Sequence, residues 1–445
     1  MRTNEAAGNC AAETLLAGQR TAVFGGPGTG KTAQLIDSYS VLAKRGGEPS
    51  VLALTPSREH ADALRDRLPT GAGIRSAPAA RSVHSYAFSL VSAHSAAVFG
   101  RPLDFISGAD QEYLLASVLE GYESGRVSGP RWPDGFSAEL LTTAGFRRQL
   151  RDALNAVMGY GVTPAQLERL GRQRGLAQWQ ALAVVLKDYE NLLAVPGFGG
   201  VDTAAVFARA AAVVTADGTR AGQKWSFSSE PLPAHILLDS AQDFPDTALD
   251  FLLALESKGA TIGLWTSPDT TVQGFRGAGG RLFQSLAAGA QTFTLDGASR
   301  VHRGAGGVRR AYDSLARIIS SDLHRRHVPA SAEDFAAGAS TVCASAVSTQ
   351  SDQARLAASL IRTWHDDGAQ WDDCAVLSRS SGSASALAAE LAAHGIPVQK
   401  QVQPLSSQPA TAHILRLLAL GAVSDTHLTL PTILRSCRSR WSPYH

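Results

Sequence analysis

Residues 21–32 read TAVFGGPGTGKT: four apolar-flanked residues, Thr21–Phe24, followed by the octet Gly25-Gly26-Pro27-Gly28-Thr29-Gly30-Lys31-Thr32. The octet matches G-x-x-x-x-G-K-[ST] at every fixed position. Behind it, Thr32 to Ala43 is patterned as a helix. A strand, a glycine-rich turn and a helix in that order are the context a phosphate-binding loop requires. Glycines permit the backbone angles that turn successive N–H groups inward into an anion nest. The N-terminus of the following helix adds partial positive charge. Lys31 is placed to reach the β- and γ-phosphates of a nucleoside triphosphate, and the Thr32 hydroxyl to ligate Mg²⁺.

Three further short apolar runs read as strands buried on both faces: Val51–Leu54, Ile236–Asp239 and Thr261–Trp265. Arg58 to Leu68 is helical in pattern, so strand, helix, strand, helix predicts an α/β fold around a right-handed parallel sheet. Ile236–Asp239 ends in an acid at the carboxyl end of a strand, where ligands of open α/β sheets sit. About 180 residues separate the second and third runs, too many for one crossover. Gln111–Leu119, Ala144–Met158 and Trp179–Leu193 within that gap carry apolar residues at helical spacing. The simplest reading is an α-helical domain inserted into the α/β domain. After residue 300 a second α/β unit is expected, with a strand at Cys374–Leu377, a helix through Leu387–Ala393, a turn into a short strand at Gly395–Val398, and a helix at His413–Leu420.

Composition bounds the class. The chain has 445 residues and a formal net charge of +2, so no overall field drives it onto nucleic acid and any such site must be local. Thirty-five arginines against six lysines read as coding bias. The four cysteines, Cys10, Cys343, Cys374 and Cys437, show no CxxC spacing, which argues against a disulfide framework or zinc site. No apolar run nears the roughly 18 residues of a membrane span, and the N-terminus lacks a signal-peptide pattern. A reduced, cytoplasmic protein is expected.

Several elements together resemble the superfamily 1 DNA helicases of the UvrD/Rep/PcrA type. Gly25–Thr32 is similar to their motif I. Leu54-Thr55-Pro56-Ser57 resembles the start of motif Ia, and Arg81-Ser82-Val83-His84-Ser85-Tyr86-Ala87 the T-x-H-S-F-A motif. Leu238-Asp239-Ser240-Ala241-Gln242-Asp243 resembles D-E-A-Q-D of motif II, and Gln273-Gly274-Phe275-Arg276-Gly277-Ala278 the Y-G-F-R-G-A end of motif III. Leu295 and Arg300 stand where L-x-x-N-Y-R-S is expected, and Asp373–Arg379 resembles a later D-I-A-V-L-x-R strand. Within the family, actinobacterial AdnA-like helicase–nuclease subunits are the most similar in wording.

The resemblance implies a P-loop RecA-like domain over 1–95 and 200–298, a helical insert over 96–199, a partial second RecA-like domain over 299–424, and a tail over 425–445 that lies outside the family pattern. It implies ATP and Mg²⁺ as cofactors, held by Gly25, Gly26, Pro27, Gly28, Thr29, Gly30, Lys31, Thr32 and Asp239. Gln242 would sense the γ-phosphate and Arg300 stabilise phosphate charge. Thr55, His84, Tyr86, Phe275 and Arg276 would face DNA. The partners implied are single-stranded or duplex-end DNA and an AdnB-like subunit in double-strand-break processing. Aromatic faces stack bases without regard to sequence. Equally, Tyr86 and Phe275 fit ordinary core aromatics, His84 a satisfied core histidine, and Arg276 a surface residue of a glycine-rich loop.

Three departures from the family pattern stand out. Ser240 occupies the place of the motif II Glu that activates water, and a hydroxyl has no comparable basicity near neutral pH. Thr266, Ser267, Thr270 and Gln273 replace the G, D, Q and Y of motif III. The pattern stops near Ser424, before the family's motifs V and VI, so a truncated chain is expected. These departures leave open a catalytically weak subunit that binds nucleotide and DNA beside an active partner.

Overall fold

A computed structural model describes residues 10–46, 50–69, 78–100, 105–193, 200–295 and 342–398, except 107, 137, 142, 217–218, 221–222, 225–231 and 275–276. The chain divides into two compact units, residues 1–342 and 343–445.

In the first unit six strands form one parallel sheet: β1 (Thr21–Phe24), β2 (Val51–Thr55), β3 (Ala80–Ser82), β4 (His235–Asp239), β5 (Thr261–Thr266) and β6 (Gln291–Thr294). Their order is β6-β1-β5-β4-β2-β3, with Thr21 opposite Gly263, His235 opposite Thr261 and Val51 opposite His235. The four apolar runs are the four central strands. The two edges escaped the reading because ARS and QTFT carry little apolar signal, and three of the four β6 residues are exposed.

Ten helices among the described residues of this unit account for most of the rest. They are α1 (Lys31–Gly46), α2 (Arg58–Arg65), α3 (Val83–Phe99), α4 (Gly108–Glu123), α5 (Ala144–Gly159), α6 (Pro164–Arg174), α7 (Ala177–Leu193), α8 (Val206–Thr215), α9 (Leu249–Ser257) and α10 (Arg281–Ala287). Side chains alternate across each strand. Leu52 and Leu54 of β2, Ile236 and Leu238 of β4, and Ile262 and Leu264 of β5 pack on one face against α3, α8, α9 and α10. Val51, Ala53, Leu237 and Trp265 pack on the other against α1, α2 and a helix over residues 10–16. Burying both faces is what makes these strands continuous apolar runs. Each large side chain so buried contributes about 1.5–3 kcal/mol.

Helices α4 to α7 gather around their own core of Leu115, Leu154, Leu186 and Tyr189. The sequence punctuates them sharply. Thr163 and Gln166 form a capping box at the start of α6, with Pro164 in its first turn, and Gly175 closes it at φ +66°. Chain entry to and exit from this helical region pair in parallel, Phe105–Ile106 beside Val201–Asp202.

The second unit contains α11 (Gln350–Asp366) and α12 (Ser381–Ala393), joined through Ala358, Ile361, Leu391 and Ile396. The strands expected at Cys374–Leu377 and Gly395–Val398 are not formed among the described residues. Both stretches run without a ladder partner, and Leu377 is 94% exposed. A strand needs a neighbour to satisfy its N–H and C=O groups. The helix expected at His413–Leu420 lies outside the described residues.

Candidate nucleotide-binding site

The site forms where the carboxyl ends of β1, β5 and β4 lie side by side. The chain leaves β1 at Phe24, whose carbonyl accepts the Leu295 N–H at 2.7 Å, while the Gly25 N–H donates to Thr266 O at 3.2 Å. These bonds tie the loop's root to both neighbouring strand ends. The loop then curls on itself. The Thr29 hydroxyl donates to Gly26 O at 2.9 Å, and Gly28 and Gly30 take φ of +78° and +92°, conformations that L side chains adopt at a cost of roughly 1–2 kcal/mol. A Cβ on Gly25 would lie 2.4 Å from the Thr29 hydroxyl oxygen, so a side chain there would displace the hydroxyl from its bond to Gly26 O. Helix α1 starts at Lys31, and the Gln34 N–H donates to Gly30 O at 2.9 Å.

Two charged side chains meet at this point. The Lys31 ammonium donates to Gly25 O at 2.9 Å and Gly26 O at 2.8 Å. Burial pushes its pKa down to about 8, partly opposed by the charge of Asp239. Asp239 ends β4 and is 9% exposed. Burial raises its pKa, and the Thr32 hydrogen bond and the Lys31 charge work against that rise. The Thr32 hydroxyl donates to the Asp239 carboxylate at 3.2 and 3.3 Å. A glycine-formed cradle, a buried cation and a hydroxyl beside a buried carboxylate fit a nucleoside triphosphate with Mg²⁺. Lys31 and the loop N–H groups would hold phosphate, and Thr32 with Asp239 would hold the metal directly or through water.

The lower part of the site is pinned from the core. Trp265 of β5 is fully buried, and its indole N–H donates to the side-chain oxygen of Gln34, itself buried in the first turn of α1. Neither residue belongs to the phosphate-loop pattern. A polar residue at a helix position facing the sheet was the available signal. Ser240 follows Asp239 at φ +58° and is the one non-glycine among the described residues with positive φ. Gln242 is 5% exposed. Its Oε1 accepts the Thr266 hydroxyl at 3.2 Å and the Ser267 N–H at 3.0 Å, so its amide is aimed at the end of β5.

Residues 7–290 match the model of the UvrD/REP helicase N-terminal domain. The chain belongs to the UvrD/REP helicase family. ATP binding, DNA binding and DNA helicase function follow from that membership at the level of the family. No curated protein matches the chain significantly.

The helicase domain places the residues expected to face DNA unequally. Thr55, the last residue of β2, is fully buried, and its hydroxyl donates to Ser57 O at 2.8 Å. The hydroxyl is engaged in the turn that follows β2. Tyr86 is buried as well. It is 7% exposed and packs on Phe251 with ring centroids 6.0 Å apart, and the Arg81 guanidinium lies over it at 5.7 Å. Tyr86 shares the inward face of α3 with Val83, Ala87, Leu90 and Val91, the i, i+3, i+4 stripe of a core-facing helix. His84 remains half-buried, its ring 4.5 Å from that of Phe207. Phe275, Arg276 and Arg300 lie outside the described residues. No helix among the described residues is long and apolar enough to cross a membrane.

Proposed function

We propose that this chain is the nucleotide-binding part of an ATP-driven DNA translocase acting on single-stranded DNA or duplex ends in repair, of the AdnA-like kind, in the cytoplasm and beside an AdnB-like partner. The observation that carries the reading is the meeting of Lys31, Thr32 and Asp239 at one sheet end, with the Thr32 hydroxyl 3.2 Å from the carboxylate, in a chain of the UvrD/REP family. Hydrolysis moves water onto the γ-phosphorus, expels ADP and releases a proton. Mg²⁺, when bound, neutralises charge developing on the phosphate oxygens. Lys31 would orient the transferring group, and Asp239 with Thr32 would hold the metal. Gln242 and Arg300 are the proposed sensors of the γ-phosphate, and Thr55, His84, Tyr86, Phe275 and Arg276 the proposed DNA contacts.

Ser240 favours a second reading, a subunit that binds nucleotide and DNA but turns ATP over slowly. General-base assistance is worth about 10²–10⁴-fold, and a serine hydroxyl does not supply it. Asp243 lies four positions beyond Asp239, and its carboxylate is engaged by Gln242, Val272 and Gln273. The test is DNA-stimulated ATP hydrolysis by the full chain, alone and with its partner, beside Ser240→Glu. The motor reading expects turnover that DNA stimulates. Nucleotide binding without turnover, restored by Ser240→Glu, selects the weak-subunit reading. Absence of nucleotide binding overturns both.

A further inference from the structure

The phosphate loop is held from β5 at both of its ends. At the first, the Thr266 carbonyl accepts the Gly25 N–H. Beyond the second, the adjacent residue Trp265 donates its indole N–H to the Gln34 side chain, three residues past Lys31. Trp265 stands in register with Val23 of β1 on one side and Asp239 of β4 on the other. It therefore shares its row of the sheet with the carboxylate that meets Thr32. The indole is packed in place. Gly263 lies two residues earlier on the same face of β5, and a Cβ there would come within 3.0 Å of Trp265 Cζ3 and 3.1 Å of Leu15 Cδ1. Glycine at 263 thus leaves the space that the ring fills beside Leu15. Gln34 is 2% exposed and Trp265 fully buried, so water does not compete for the bond. A donor locked by packing and an acceptor on the first turn of α1 fix the distance from that turn to the sheet.

Two side chains of that turn approach the metal position, and they differ in slack. The Lys31 ammonium ends a flexible four-carbon stem, which absorbs a small shift of the helix. The Thr32 hydroxyl sits on Cβ, so its distance to the Asp239 carboxylate, 3.2 and 3.3 Å, follows the backbone. Mg²⁺ demands near-octahedral geometry with oxygens at about 2.0–2.1 Å, whereas Ca²⁺ accepts about 2.3–2.6 Å and irregular shells. We propose that Trp265 and Gln34 are positioning residues for the divalent cation: their hydrogen bond sets how far the first turn of α1 stands from β4, hence the spacing of Thr32 from Asp239 and the site's preference for Mg²⁺. The proposal rests on the reading of this site as one for a nucleoside triphosphate with Mg²⁺.

The test uses the full chain and a fluorescent ATP analogue, with affinity read by anisotropy in EDTA, in MgCl₂ and in CaCl₂. In the parent chain Mg²⁺ is expected to tighten binding about tenfold over EDTA, equivalent to roughly one hydrogen bond to a charged group. Gln34→Met keeps the side chain's length and removes the amide acceptor, and Trp265→Phe removes the donor. In each, affinity in EDTA is expected to stay within about threefold of the parent and the Mg²⁺ effect to fall below about threefold, while the Ca²⁺ effect stays within about twofold of the parent's. The double variant is expected to lose no more of the Mg²⁺ effect than the larger single loss, because both substitutions act through one bond. A parent-sized Mg²⁺ effect in both single variants overturns the proposal, whatever the midpoint of unfolding. So do Mg²⁺ and Ca²⁺ effects that fall in step, the mark of a role in packing alone, and so do losses that multiply in the double variant. Where one single variant does not fold, the other decides by the split between Mg²⁺ and Ca²⁺. A parent chain that binds the analogue equally with and without Mg²⁺ overturns the proposal and leaves nucleotide binding standing. A parent chain that does not bind the analogue overturns both.

Discussion

Asp239 and Asp202 are both carboxylates buried at strand ends of the same unit, 9% and 5% exposed, and their surroundings differ in kind. Asp202 sits where the chain returns from the helical region to the sheet. Its Oδ2 accepts the Gln111 amide at 2.8 Å and the Tyr189 hydroxyl at 2.8 Å, and its Oδ1 accepts the Ala204 N–H at 3.0 Å. Gln111 reaches on to Asn155 at 2.6 Å. The first and last long helices of the insert thus share one acceptor, and the second is linked to it through Gln111. Asp239 has a single hydrogen-bond donor among the described residues, the Thr32 hydroxyl, at the long distance of 3.2–3.3 Å. A buried charge satisfied on every side holds a fold together, whereas one held with lone pairs to spare, near a buried lysine, carries chemistry at some expense of stability.

The largest test of that contrast is Asp202→Ala. It leaves an amide, a phenol and a backbone N–H buried without their acceptor, at about 1–3 kcal/mol each, so a loss of about 3–5 kcal/mol is expected in denaturant unfolding. Nucleotide affinity of the folded protein should be unchanged. Asp239→Asn should do the reverse, leaving stability unchanged or higher by about 1 kcal/mol while Mg²⁺ no longer tightens nucleotide binding. Equal destabilisation by the two substitutions would erase the distinction.

Lys31→Ala comes next. Hydrogen bonds to charged groups contribute about 1.5–3 kcal/mol, so calorimetric ATP affinity should fall about 10–150-fold. The midpoint of unfolding should hold or rise, because a desolvated ammonium is removed. The same lysine sharpens the comparison through pH. Its pKa is held at about 8, below the usual 10.5, so between those values the unfolded chain carries the extra proton and stability rises with pH. Phosphate needs the ammonium, so nucleotide affinity should weaken above pH 8, approaching tenfold per pH unit. Lys31→Arg, always charged, should flatten that profile. A profile unchanged by Lys31→Arg would remove Lys31 from phosphate binding.

The two carboxylates were not equally legible. Asp239 could be read because its signal is local: three apolar residues and an acid, paired with a fixed-spacing loop. Asp202, Asp243 and Asp246 could not. Each has a partner far off in sequence, Gln111 at 91 residues from Asp202, Val272 at 29 from Asp243 and Leu282 at 36 from Asp246, and nothing in a short acidic stretch distinguishes such an anchor from a solvated face. Central strands were legible for the reason the edges were not: burial on both faces writes a continuous apolar run, and an edge needs none. Tyr86 carries two readings at once. Motif position expects it to face DNA, and the helical period through Val83, Tyr86, Ala87 and Leu90 places it on the buried face of α3.

The smallest effect probes the insert's side of the comparison. Tyr189→Phe removes one of three donors to Asp202 and leaves the ring's packing in place, so a loss of about 1 kcal/mol is expected at neutral pH. Burial and the charge of Asp202 push the Tyr189 phenol well above its usual 10. The folded protein therefore keeps this proton where the unfolded chain releases it, and the contribution is present below pH 10 and lost as pH rises beyond. Each pH unit above 10 costs the parent chain up to about 1.4 kcal/mol through this group. Tyr122 contributes in the same direction, because its hydroxyl is buried against Asp188 at 2.7 Å. Unfolding free energies of Tyr189→Phe and of the parent should converge as pH climbs from 9 to 11, and Tyr122→Phe should show the same convergence independently. Curves that stay parallel over that range would mean the phenol ionises as freely in the fold as in the open chain, and Asp202 would then be wetter, and closer in kind to Asp239, than its three hydrogen bonds describe.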